Sequence, residues 1–168
     1  MIGDGEPLPA KPGVEIRAVD AASEEARHCL SEYFAELDQR METGYDPEAA
    51  LPATAAEMTP PEGLFLVAYR QGVPIGCGGL KLHGSGPAEI KRMWVSPGAR
   101  RLGVGRRLLA ALEAKAASLG APAIRLDTNG VLVEAIAMYE SNGFRPVPAF
   151  NSEPHATHWF EKVIPGRS

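Results

Sequence analysis

One unit of the chain limits its fold more than any other. Ala88 to Val95 reads as a strand, the turn Arg100-Arg101-Leu102-Gly103-Val104-Gly105 follows, a helical run extends from Val104 to Leu119, and Ile124 to Thr128 reads as another strand. Val104, Leu108, Ala111, Leu112, Ala116 and Leu119 recur at three- and four-residue steps, one apolar face that stops at Gly120. A strand, a crossover helix and a second strand in this order pair in parallel and with right-handed connection. The flanking segments must be accommodated around that crossover.

Those segments are mostly strands. Val14 to Val19 alternates apolar and polar residues, as a half-buried strand does. Leu64 to Tyr69 and Ile75 to Leu80 flank Arg70-Gln71-Gly72-Val73-Pro74 and predict an antiparallel hairpin. Ser23 to Met41 carries Ala26, Leu30, Tyr33, Phe34, Leu37 and Met41 on one helical face, with Asp20 or Ser23 as its cap. Glu42 to Gly63 holds four prolines and two glycines without a sustained period, so it is a loop with at most one short helix. Val133 to Ser141 is a short helix closed by Asn142-Gly143, and His158 to Val163 a last strand. The expected class is α/β, an α+β mixed sheet: largely antiparallel, with one parallel strand-helix-strand crossover and helices on both faces.

A length of 168 residues, 45% hydrophobic and 23% charged, suits one globular domain over 14–168, preceded by a Gly- and Pro-rich disordered lead-in over 1–13. That lead-in has neither the basic start nor the apolar core of a signal peptide, and no segment reads as a membrane span. Cys29 and Cys77 stand far apart without metal-ligand spacing, so neither a disulfide framework nor a metal site is expected, and a reducing cytoplasm suits them. Net charge is −4, yet Lys91, Arg92, Arg100, Arg101, Arg106 and Arg107 lie within seventeen residues. One concentrated basic patch on an acidic body fits a compact polyanion better than nucleic acid, which calls for a wide positive face.

The turn itself names a kind of ligand. Glycines at 103 and 105 admit close backbone approach, and the helix start offers unpaired N–H groups at its positive dipole end, so the expected ligand is a phosphate carrier. The third glycine and acidic partner of a dinucleotide fingerprint are missing, and so is the Gly-Lys-Ser/Thr ending of a Walker-type loop.

At this point the residues resemble the GNAT superfamily of acyl-CoA-dependent N-acetyltransferases, from Val14 to Ile164. Arg100, Gly103 and Gly105 fill its signature of Gln or Arg, two residues, Gly, one residue, Gly or Ala. Ala135-Ile136-Ala137-Met138-Tyr139-Glu140-Ser141-Asn142-Gly143-Phe144 resembles its later Ala, three residues, Tyr-Glu, two residues, Gly-Phe. The resemblance implies acetyl-CoA as acyl donor, with its pyrophosphate on Arg100 to Arg106 (Arg101, Leu102 and Val104 included) and its pantetheine arm beside Met93, Trp94 and Val95. It makes the Val95 N–H a candidate oxyanion donor, Tyr139 the general acid toward the CoA thiolate, and Asn129 either a cofactor contact or a turn residue. Glu89 stands where part of the family keeps a general base, as against a strand carboxylate paired with Lys91; His158 is the alternative base.

The acceptor site is expected between Met41–Gly63 and Phe150–Phe160, with Tyr45, Glu89, Phe150, Asn151 and His158 as candidate contacts for a small-molecule amine. A non-catalytic acyl-CoA sensor and an enzyme acting on protein amines are the alternatives. Glu89 to Pro97 and Trp159 to Lys162 resemble a bacterial subgroup of small acetyltransferases, and the last strand offers a route to homodimer pairing.

Overall fold

A computed structural model describes residues 13–50 and 53–166. The chain runs through β1 (Val14–Ala18), α1 (Glu24–Arg40), β2 (Gly63–Arg70), β3 (Val73–Lys81) and β4 (Ala88–Val95). A 3₁₀ turn (Pro97–Leu102) leads into α2 (Val104–Ser118), followed by β5 (Ala123–Thr128), α3 (Val133–Ser141), β6 (Arg145–Pro146) and β7 (His158–Val163). The sheet order is β1-β2-β3-β4-β5-β7-β6, antiparallel throughout except for β4 beside β5. This is the expected mixed sheet. The expected lead-in lies almost wholly outside the described residues.

Local chemistry sets the element ends. Ser23 caps α1, its hydroxyl accepting from the Ala26 N–H at 3.2 Å, while Asp20 instead accepts from the Ala22 N–H at 2.8 Å. The first hairpin turns on Gln71-Gly72 alone, both with positive φ (52° and 78°), the type I′ geometry whose twist suits two antiparallel strands. The loop after α1 has no helix among its described residues, but Thr54 and Glu57 cap one another and lower Met58 into the core, where it is 1% exposed. Its sulfur occupies the space a Cβ on Gly79 would need.

Alternation along β2 buries both sides of the sheet. Leu64, Leu66 and Ala68 join Leu108 and Leu112 of α2 on one side, while Phe65, Val67 and Tyr69 join Ala26 and Cys29 of α1 on the other. Burying a side chain the size of Phe65 contributes roughly 1.5–3 kcal/mol. β4 breaks the alternation. Arg92 has φ +58°, and Gly78 of β3 faces two residues, Arg92 and Met93, in a bulge. Ile90 therefore packs on the α2 side while Trp94 packs on the α1 side.

β7 lies between β5 and the two-residue β6, which covers its outer edge at Phe160 and Glu161. Among the described residues no helix is long and apolar enough to cross a membrane, and no group of side chains could hold a metal ion.

Candidate active site

The geometry begins with a divergence. β4 and β5 pair only at Ala88↔Ile124 and Glu89↔Arg125. Beyond those pairs the strands part, and the edge of β4 from Ile90 to Val95 has no strand partner on that side among the described residues. Parallel strands that separate toward their carboxyl ends leave a crevice, the usual place for a ligand in such sheets.

Two adjoining cavities that share wall residues occupy it. The larger, about 460 Å³, is walled by α1, the end of β4, the start of α2 and α3, and Met93, Trp94, Val95, Arg100, Gly103, Gly105, Arg106 and Tyr139 all line it. The smaller, about 70 Å³, lies toward the Tyr45 loop and is lined by Tyr45, Lys91, Arg92, Asp127, Asn129 and His155 among others. Tyr33, Met93, Leu132 and Tyr139 belong to both.

In the wall of the larger cavity, Gly103 closes the 3₁₀ turn and opens α2 with φ +74°, a left-handed conformation suited to glycine, and no side chain among the described residues caps the helix. The first N–H groups of this 15-residue helix are thus left for a ligand, with the Arg106 side chain beside them and free of any ion pair among the described residues. Gly105 has a different task. A Cβ there would stand 2.6 Å from the Met138 sulfur, so its smallness lets α2 approach α3.

Arg100 is committed elsewhere. Its Nε donates to the Val95 carbonyl at 3.1 Å and its Nη2 to Glu36 Oε1 at 2.6 Å. Glu36 also accepts from Arg40 Nη1 at 3.0 Å and Trp94 Nε1 at 3.2 Å, and Arg40 Nη2 reaches on to the Val131 carbonyl at 2.6 Å. This network ties α1 to the end of β4 and to the approach to α3 across the cleft. Burial pushes the Glu36 carboxyl up, but the bonds from Arg100 and Arg40 outweigh it and hold its pKa below the usual value.

Tyr139 is 4% exposed, packs on Phe144 and Phe160, and its hydroxyl has no hydrogen-bond partner among the described residues. Burial, then the nearby Asp127 carboxylate, pushes its phenol well above the ordinary range, so it stays protonated at neutral pH.

Other candidates fall outside the cleft. Arg101 is exposed and lines neither cavity, while Leu102 and the fully buried Val104 pack into the core, leaving only their backbone to a ligand. Glu89 lines neither cavity; it is buried at 8% exposure against His83 Nε2 at 2.7 Å and Lys91 Nζ at 3.4 Å, within the paired part of β4. His158 is exposed, bonded to Thr157 Oγ1 at 2.7 Å. The Phe150 ring lies 4.2 Å from the Arg125 guanidinium, outside both cavities. Asn151 stands behind the smaller cavity, its Nδ2 donating to Asp127 Oδ2 at 2.9 Å and its Oδ1 accepting from Trp159 Nε1 at 2.9 Å. Asn129 is a turn residue, accepting from the Val131 N–H at 3.0 Å and donating to the His155 carbonyl at 2.8 Å, and it faces the smaller cavity.

The sequence reading missed Tyr33, Glu36 and Arg40 of α1, and Asp127. Asp127 carried a signal: it is a carboxylate at the carboxyl end of a parallel strand, beside the chain crossover. Glu36 carried none, because its partner Arg100 is 64 residues away.

Residues 21–144 match the model of the acetyltransferase (GNAT) family. An IAA acetyltransferase of Azospirillum brasilense is 36% identical over 110 residues, covering 65% of this chain and 72% of that protein. A Klebsiella pneumoniae structure, assigned as an acyl-CoA N-acyltransferase, superposes with a TM-score of 0.72 at 27% identity, over 89% of this chain and 97% of the other. A GNAT acetyltransferase from Elizabethkingia anophelis, solved with acetyl-CoA bound, has a TM-score of 0.64 at 16% identity, over 92% of this chain and 100% of the other; at that identity the likeness is one of fold.

Proposed function

Because the chain belongs to the GNAT acetyltransferase family, we propose that it carries the acetyl group of acetyl-CoA to the primary amine of a small molecule, by direct attack in a ternary complex. The observation that carries this reading is the adjacency of two cavities, one large and one small, whose shared walls include Met93 and Tyr139. A donor in one and an acceptor in the other meet there without a covalent enzyme intermediate.

The residues present fit such a donor. The uncapped start of α2 and the Arg106 side chain suit a pyrophosphate, and the unpaired edge of β4 from Met93 to Val95 suits an extended amide-bearing arm. Acetyl-CoA supplies an activated carbonyl and a thiolate leaving group. The Val95 N–H is assigned to polarise that carbonyl, and Tyr139 to give its proton to sulfur as the C–S bond breaks and the C–N bond forms. Asp127, which with Glu153 supplies the carboxylates of the smaller cavity, attracts and orients the amine, and the proton that the nitrogen sheds passes through water and restores the Tyr139 phenol. Neither Glu89 nor His158 reaches that cavity, so neither is assigned as base. The two buried free cysteines suit a reducing cytoplasm.

The test is thiol release from acetyl-CoA across an amine panel, with wild type and Tyr139→Phe. The variant should turn over about 10²-fold more slowly with little change in donor KM. An unchanged rate removes Tyr139 from the mechanism. Absence of thiol release with every amine, although acetyl-CoA raises the melting temperature, overturns the enzyme reading in favour of a binding protein.

A further inference from the structure

Resting on the acetyltransferase reading above, we infer that the acceptor is a compact amine that carries its own carboxylate, an amino-acid-like zwitterion with its anionic end on Arg92 and its amine between Asp127 and Tyr139. The smaller cavity contains the cations Lys91 and Arg92. Lys91 is already balanced, its Nζ 3.4 Å from Glu89 and 3.5 Å from Asp127. Arg92 is not. No carboxylate lies within 4.0 Å of its guanidinium among the described residues; Nη1 donates to the Tyr45 hydroxyl oxygen at 2.8 Å, and the group rests 5.1 Å from the Phe34 ring centroid.

A phenol and a ring face position a guanidinium without neutralising it. The rest of its planar fork of donors complements a carboxylate, and Arg92 lines the cavity. The backbone supports the same conclusion. Arg92 occupies a left-handed conformation that a side chain rarely adopts, in the bulge that sends both Lys91 and Arg92 to the α1 side of the sheet. Regular pairing would have sent Arg92 the opposite way, to the α2 side, away from the cavity.

The opposite pole is Asp127. Asn151 and Lys91 hold its Oδ2, and it stands near Tyr139, whose phenol feels its charge. The acceptor's ammonium end thus meets a carboxylate in the smaller cavity, near Tyr139, which lines both. His155 is spent on structure: its Nε2 accepts from the Asp46 N–H at 3.3 Å, its Nδ1 faces Glu153 at 3.2 Å, and its ring packs 4.4 Å from that of Tyr45. A volume of about 70 Å³ disfavours a bulky amine.

The experiment compares kcat/KM for small amino acids with those for their own amides and for the matching amines without the carboxyl group. The best amino acid should exceed its amide by about tenfold or more, and Arg92→Gln should reduce that ratio to about twofold while donor KM stays fixed. An amide or simple amine that equals or surpasses the amino acid overturns the inference and leaves the acetyltransferase reading standing, as does a ratio untouched in Arg92→Gln. A second measurement needs neither variant nor turnover. N-acetyl amino acids should raise the melting temperature of the wild-type protein and their methyl esters should not; equal shifts overturn the inference. If no amine of any kind is acetylated, the inference falls with its premise, and the acetyl-CoA melting shift reports separately whether the donor site exists.

Discussion

Glu36 accepts hydrogen bonds from its own helix, from β4 and from the turn before α2, so Glu36→Ala tests what holds the cleft in shape. The substitution removes bonds from Arg100 Nη2, Arg40 Nη1 and Trp94 Nε1 and leaves two guanidinium groups facing a void. Breaking a fully buried ion pair costs about 3–5 kcal/mol. Here the side chains of Glu36, Arg40 and Arg100 are 15%, 24% and 31% exposed, so water reaches the orphaned cations, and Arg40 keeps Glu134 and the Val131 carbonyl. About 2–3 kcal/mol is then expected, a drop of about 4–12 °C in melting temperature for a chain of this size. Donor KM should rise as well, because Arg100 loses the anchor that holds it on the Val95 carbonyl. The pH dependence has a definite sign. Glu36 is held below the usual glutamate value of 4.5, so its stabilisation is complete above that value and is lost as pH falls through the lower folded-state pKa. Calorimetry of wild type and variant should show a full gap at neutral pH that closes in acid. A shift under about 1 °C at neutral pH, or a gap that widens on acidification, refutes the reasoning.

Two glycines make contrasting predictions. Gly103→Ala adds a Cβ into open space at φ +74°, so it should cost only the left-handed penalty, about 1–2 kcal/mol, and Gly103→Asn should recover part of it; an unchanged melting temperature contradicts the assigned conformation. Gly105→Ala overlaps the Met138 sulfur and should cost about 1–3 kcal/mol, offset in part by helix propensity, with Met138 driven into the cleft and donor KM raised. Met138→Ala should relieve that overlap, giving a coupling above about 0.5 kcal/mol in a double-mutant cycle, whereas strictly additive effects rule the contact out.

Most of the elements were legible because local signals agreed with their packing. Asn142-Gly143 ends α3, Ser23 starts α1, and the alternating run from His158 to Val163 is a strand. The bulge at Arg92 was not legible, since nothing local asks an arginine for a positive φ; its neighbours in β3 and α1 impose it. The site was legible only in part, and the reason lies in where β4 and β5 part. Glu89 and Asp127 are both acidic strand residues, and what distinguishes them in the sequence is only that Asp127 stands near the carboxyl end of its strand and Glu89 near the start of its own. Glu89 belongs to the last pair the two strands make, so a neighbouring strand and its partners His83 and Lys91 seal it. Asp127 lies two residues past that pair on β5, where β4 has withdrawn and a cavity has opened. The same step separates Ala88, packed in the core, from Met93, Trp94 and Val95, which wall the cleft. Whether a polar strand residue can touch a ligand is therefore set by its position relative to the divergence, a property of the paired strands that neither strand carries alone.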